Sequence, residues 1–360
     1  MLTKKITQHG YIVFLSLALL LAACGSKDEK APDVSNIKVS LRTARFDKDL
    51  YAIDTNHIGA GLQQLSAKYP WFLNFYLDTI LGYGVHGNYS DTVEGIRIGL
   101  HELLTHKDYV NLEDTIQHYY PDTKDAEAAL TKGFQYMKYY FPNFNVPQVL
   151  FVNLILDRKL PAFTIDTSVL GVCLDMFLGP QFPPYVAVGV PAYLAPHLRQ
   201  NYMPVAAFGV IYNNMHPFTP EDRTLLDMMI QRGKQQYFLH HILPDAPDSV
   251  LFGFTARQTE WCQKNEAVIY NFFIHQNLLY NKEPNSTMPF INDGPFAQGL
   301  EPVTDTIKVT PGNIGSWLGY KIVSAYMAEH PKVTLPELLM QQTDPAKMLE
   351  EARYRPKDNN

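Results

Sequence analysis

Cysteine is scarce. The 360 residues hold three, Cys24, Cys173 and Cys262, which rules out a fold stapled by a disulfide framework. Positive charge is short as well: 30 Lys and Arg against 36 Asp and Glu give a net charge of −6. That excludes nucleic acid as a partner, because it demands a basic patch. The apolar run Tyr11–Ala23 is thirteen residues long. At about 1.5 Å per residue it cannot cross a hydrocarbon core of ~30 Å, so a permanent transmembrane helix is excluded. No Gly-x-Ser-x-Gly elbow and no Gly-x-x-x-x-Gly-Lys-Ser/Thr loop occurs, which removes the hydrolase-elbow and phosphate-loop chemistries. Repeats and low-complexity tracts are absent too.

What is present begins at the N-terminus. Lys4-Lys5, the short apolar run and the small residues before Cys24 form a secretory signal peptide over residues 1–23. Leu21-Ala22-Ala23-Cys24 resembles the lipobox of bacterial lipoproteins, which implies that Cys24 is acylated and becomes the mature N-terminus. One acyl chain binds a membrane marginally, whereas two or more anchor it stably. The resemblance implies a multiply acylated, palmitate-bearing Cys24 with the body in water. Removing 23 of the 360 residues, two lysines and no acid among them, leaves 337 and shifts the charge from −6 to −8. Residues 24–36 read as a flexible tether and 37–360 as a single globular domain. Cys173 and Cys262 both sit in apolar settings, so a pair and two buried free thiols stand as equal readings.

Along the body, Ile37-Lys-Val39-Ser-Leu41 alternates and predicts a strand. Leu62, Leu65, Tyr69, Phe72 and Tyr76 recur at helical spacing. Asp91-Thr-Val-Glu94 reads as the cap of a helix through Ile98 and Leu103, and Asp122-Thr-Lys-Asp125 as the start of one carrying Phe134 and Met137. Val149–Ile155, Ala162–Ile165 and Val169–Cys173 read as neighbouring strands of one small sheet. Further helices are expected from Thr219-Pro-Glu-Asp222 to His241, from Thr255 to Asn277, after Thr310-Pro-Gly-Asn313, and from Thr334 and Asp344. Asn281–Gly299 reads as a surface excursion. The class is α+β, predominantly helical with a small mixed sheet.

Candidate chemistry is thin. In His101-Glu-Leu-Leu-Thr-His106 the second His is at i+5, about 100° away from the i+4 position a zinc helix needs. His240-His241 suit a helix C-terminus, where cations meet the dipole favourably. Asp157, Asp166 and Asp175 surround the predicted strands, either along one sheet edge or as turn residues. Asp-Thr/Ser-aliphatic triplets at Asp78, Asp91, Asp114, Asp248 and Asp305 match an O-glycosylation pattern. No catalytic, cofactor-binding or metal-ligating residue is assigned, and no cofactor is implied. Cys24 is the only site residue.

Several segments together carry a family resemblance: Arg45-Phe-Asp-Lys-Asp-Leu-Tyr51; Gly171-Val-Cys-Leu-Asp-Met-Phe-Leu-Gly179 with Phe182-Pro-Pro-Tyr185; Gln258-Thr-Glu-Trp-Cys-Gln-Lys-Asn-Glu266; and Pro311-Gly-Asn-Ile-Gly-Ser-Trp-Leu-Gly-Tyr-Lys-Ile-Val323. The ordered set resembles the GldB family of gliding-motility lipoproteins of Bacteroidota. The resemblance implies a degenerate zincin-like peptidase fold. In related peptidases one helix carries His-Glu-x-x-His and a later one a Glu-Gly pair. Here the corresponding stretch, His197–Tyr212, has one His without an i+4 partner, and the later pair reads Arg232-Gly233. A pseudoenzyme follows: a structural or interaction component of the gliding and associated secretion machinery. Its partners are a membrane, through acylated Cys24, and other envelope proteins. It is placed in the cell envelope, at the outer membrane before the inner, facing periplasm or surface. The rival readings are an active metal-dependent envelope hydrolase and a surface glycan-binding lipoprotein.

Overall fold

In the computed structural model four short strands make one sheet in the order β1-β2-β4-β3. They are β1 (Thr43–Arg45), β2 (Gln148–Val152), β3 (Ala162–Ile165) and β4 (Val169–Cys173). β1 runs parallel to β2 and β2 to β4, while β3 returns antiparallel, with Phe163 opposite Gly171. β2 and β4 are buried almost throughout. That is why they read as unbroken apolar runs and not as alternating ones. The fold is α+β, predominantly helical, with this small mixed sheet.

The structure describes residues 31–300, 309–342 and 344–357. Met1–Asp33 and Val34–Asn360 are separate units, and the sheet and the described helices belong to the second. The predicted signal peptide, Cys24 and the Asp305 triplet lie outside the described residues. No described helix is long and apolar enough to cross a membrane.

The helices that matter are α1 (Phe46–Tyr51), α2 (Ile58–Lys68), α3 (Lys107–Tyr119), α4 (Lys124–Tyr140), α5 (Met203–Met215) and α6 (Leu225–Ile242). They are followed by α7 (Ala256–Lys264), α8 (Glu266–His275), α9 (Ile314–Glu329), α10 (Leu335–Met340) and α11 (Pro345–Glu351). α5 lies against the sheet, α6 against α5, and α9 against α6. A single apolar core runs from Val34 to Ala352. Cys173 and Cys262 are free and buried, so the pairing alternative is discarded. Burial pushes both thiols above their ordinary range.

Several expected boundaries move. Ile37, Val39 and Leu41 pack on the core as their alternation requires, yet pairing starts at Thr43. The helix through Leu62 stops at Lys68, and Phe72 and Tyr76 belong to further helical turns after Pro70. Asp91 does not cap the helix that follows it; its Oδ1 accepts the N–H of Gly59, in the first turn of α2, at 2.6 Å. Thr219-Pro-Glu-Asp222 does not open α6, since Asp222 sits at φ 58°. Thr224 does, accepting the Asp227 N–H. The helix expected from Thr255 starts there, closed by a reciprocal Thr255–Gln258 capping box, but Asn265 divides it into α7 and α8.

Candidate functional site

Three helices and three loops enclose a polar cleft of about 260 Å³. α5 presents Val205, Gly209 and Asn213, one per turn, and α6 presents Arg232, Gln235, Gln236 and Leu239 at i, i+3, i+4 and i+7. Asn313 and Ser316 enter from the start of α9. α9 approaches closely because two glycines meet. A Cβ on Gly319 would fall 1.8 Å from the Met229 carbonyl oxygen, and one on Gly233 2.3 Å from the Gly319 carbonyl. Gly233 therefore serves helix packing, while its neighbour Arg232 faces the cleft.

His197 comes from a 3-10 turn, Ala192–Leu198, and not from α5; the expected single helix His197–Tyr212 is broken before Met203. Its imidazole stacks on Tyr202 with centroids 4.3 Å apart and planes 2° from parallel. Gly253 makes room for it: a Cβ there would lie 1.9 Å from His197 Nε2. Nδ1 stands 3.8 Å from Asp293 Oδ2. Burial pulls the pKa of His197 down, with the Asp293 carboxylate and a hydrogen bond to the Gly253 backbone opposing. Asp293 Oδ1 accepts from Asn313 Nδ2 at 2.8 Å.

Arg232 Nη1 donates to Gln235 Oε1 at 3.0 Å, and Gln235 Nε2 to Asn213 Oδ1 at 3.2 Å. Buried Nε of Arg232 and Oε1 of Gln236 have no partner among the described residues. One imidazole, one carboxylate and a guanidinium do not fit a zinc ion, because the cation repels it and the donor count falls short. Among the described residues no group of three or more His, Cys, Asp or Glu is placed to hold a metal. What the cleft offers is a fixed cation, a carboxylate and a row of amides.

The other expected candidates do not converge. His101 is exposed, and His106 caps α3 by accepting the Asp108 N–H. His240 and His241 each bond the carbonyl four residues back, and His240 stacks on Tyr320 at 4.1 Å. Asp157 and Asp166 are exposed turn residues, whereas Asp175 is fully buried. Of the triplet hydroxyls, Thr79 and Thr92 are exposed, and Thr115 is tied to the Asn111 carbonyl.

A second polar cluster fills the carboxyl ends of the parallel strands, the edge where open α/β sheets commonly bind ligands. Arg45 clamps Asp47 through Nε at 2.9 Å and Nη2 at 2.6 Å, and Nη1 donates to the Tyr120 carbonyl. Glu113 accepts from Asn153 Nδ2 at 3.0 Å and from Gln117. Asp175 Oδ2 accepts the Leu156 N–H at 2.9 Å, and Asn153 Oδ1 that of Ile155 at 2.8 Å. These bonds hold two consecutive left-handed residues, Ile155 (φ 53°) and Leu156 (φ 61°), a costly conformation for bulky side chains. Burial, with the Asp47 carboxylate adding, raises Glu113 to about 7. Burial raises Asp175 to about 6 against its backbone hydrogen bonds. This edge is plugged, so the open cleft is the candidate site.

Sequence reasoning flagged His197 and Arg232 but missed Asn213, Gln235 and Asp293. Asn213 carried a weak signal, being an amide on an otherwise apolar face of α5; Gln235 sits on a polar face of α6 beside Arg232 and Gln236 and stood out from nothing. Asp293 carried none, since its place beside His197 is decided by a loop.

Residues 27–356 match the family model described as gliding motility protein GldB. No curated protein and no solved structure matches the chain.

Proposed function

The chain belongs to the GldB family of gliding-motility lipoproteins, and from that premise we propose that it is a structural or interaction component of the gliding and associated secretion machinery. The family carries a membrane anchor in the cell envelope. Acylated Cys24 provides it here, holding the body at the outer membrane. The body descends from a zincin-like peptidase whose catalytic apparatus is lost.

One observation carries the pseudoenzyme part. Arg232 stands in the cleft where the peptidase resemblance expects a ligand-bearing side chain, while Gly233 beside it still packs against α9. A guanidinium there replaces a metal ligand with a charge that opposes the metal. His197 supports the same reading, since it is wedged between Tyr202 and Gly253.

Metal analysis of the purified protein tests this, with no stoichiometric zinc expected. Zinc bound one to one, and lost in His197→Ala, would sink the proposal and restore the hydrolase reading. In a gliding host, deletion is expected to abolish colony spreading; a deletion strain that spreads normally would refute the motility role.

A further inference from the structure

The cleft holds two opposite charges that do not pair with each other. Among its lining residues Arg232 is the only fixed cation and Asp293 the only carboxylate. No ion pair of Arg232 exists among the described residues, and His197 Nδ1, 3.8 Å from Asp293 Oδ2, lies beyond hydrogen-bond distance, with burial working against its charged form; Tyr202, the other titratable neighbour of Asp293, carries no positive charge to offer it. Arg232 is partly buried, and an unpaired charge there costs desolvation with nothing in return, while Asp293 stands exposed at the rim with its side chain 42% accessible. Two charges of opposite sign form the complement of a ligand that carries both.

Arg232 has a free edge. Nη1 is taken by Gln235, which leaves Nε, buried and unpartnered, and Nη2 with no bond among the described residues. That edge is the fork a carboxylate takes through two parallel hydrogen bonds. Asp293 is the second charged group of the lining. Asn313 occupies its Oδ1, and Oδ2 keeps acceptor capacity that His197, 3.8 Å away, does not fill. Gln236, which also lines the cleft, offers a buried acceptor without a donor, suited to an N–H. At about 260 Å³ the cavity lies just under the ~300–1,000 Å³ of ordinary small-molecule sites, which restricts the ligand to a small one.

We propose that this cleft binds a small zwitterion bearing an α-carboxylate and an α-ammonium, a free amino acid or a dipeptide, with the carboxylate on Arg232 and the ammonium on Asp293. The site requires no catalysis and is independent of the pseudoenzyme reading.

The test is calorimetric titration of the purified full-length protein with the common amino acids, Gly-Gly and Ala-Ala. N-acetylalanine, alaninamide and inorganic phosphate serve as controls. At least one zwitterion is expected to bind saturably, with free amino acids and dipeptides separated by which of them does so. Blocking either end, or introducing Arg232→Gln or Asp293→Asn, is expected to weaken binding by about tenfold or more, the loss of one charge-assisted contact. Arg232→Lys keeps the charge, loses the fork, and is expected to weaken binding as well. Absence of binding across the panel would overturn the proposal. So would an acetylated or amidated form that binds as tightly as its parent, or phosphate binding that survives Asp293→Asn at equal strength. The blocked ligands act on the unmodified protein, so the outcome does not depend on whether a variant folds.

Discussion

Glu113 sits among Gln117, Asn153 and the Asp47 carboxylate, and its carboxyl titrates near 7. In the unfolded chain it titrates near 4.3. Between roughly pH 4.5 and 7 the unfolded chain therefore gives up a proton that the folded chain keeps, so this residue's contribution to stability falls as pH rises through that window. Asp175, raised to about 6, acts with the same sign over a lower range. Glu113→Gln removes one of the two titrations, and thermal melts of the variant are expected to depend less steeply on pH between 4.5 and 7. Equal slopes in variant and parent would refute the assignment. The Arg45–Tyr51 segment that carried the family resemblance is explained at this scale. Arg45 and Asp47 form the clamp, Phe46 packs edge-on against Tyr69, Phe72 and Tyr76, and Asp49 accepts from Lys68 and Tyr69. Its side chains are spent on holding β1 and α1 against α2 and α3.

Between α6 and α9 the backbones nearly touch at Gly233 and Gly319. Gly319→Ala must push the helices apart, and we expect a loss of about 3 kcal/mol in urea unfolding. Gly209 in α5 is the control. The nearest atom to a Cβ there is Gln235 Nε2 at 3.9 Å, so Gly209→Ala is expected to be neutral or to stabilise by about 0.5–1 kcal/mol. The reverse order of the two variants would contradict the packing described. Element existence was largely legible. The strands after Val149, the helix opened by Asp122, and the helix starts at Thr255 and Thr334 follow from burial and cap chemistry within a few residues. Boundaries decided by distant groups were not. α6 starts at Leu225 because the N–H groups of Leu225 and Leu226 donate to the carbonyls of Asn281 and Leu279, partners more than fifty residues away. The alternation of Ile37–Leu41 is real, yet the stretch lacks a neighbour to pair with until β1 meets β2. The cleft depends on such long-range placement throughout, so its members were visible singly and not as a site.

At the scale of the molecule, attachment and body are separable. Cys24→Ser is expected to move the protein from the membrane pellet to the soluble fraction, with the melting behaviour of the body unchanged. A variant that stays in the pellet after a high-salt wash would count against anchoring by acylation. The body folds around one core with neither of its two remaining cysteines bridged. Folding of the body therefore requires no thiol oxidation. The same two thiols supply an internal clock. Cys173 ends β4 and Cys262 lies in α7, both without solvent access, and a buried thiol reacts only when the structure around it opens. The rates at which an alkylating reagent captures the two would time the opening of the sheet and of the helical half separately, in the unaltered chain.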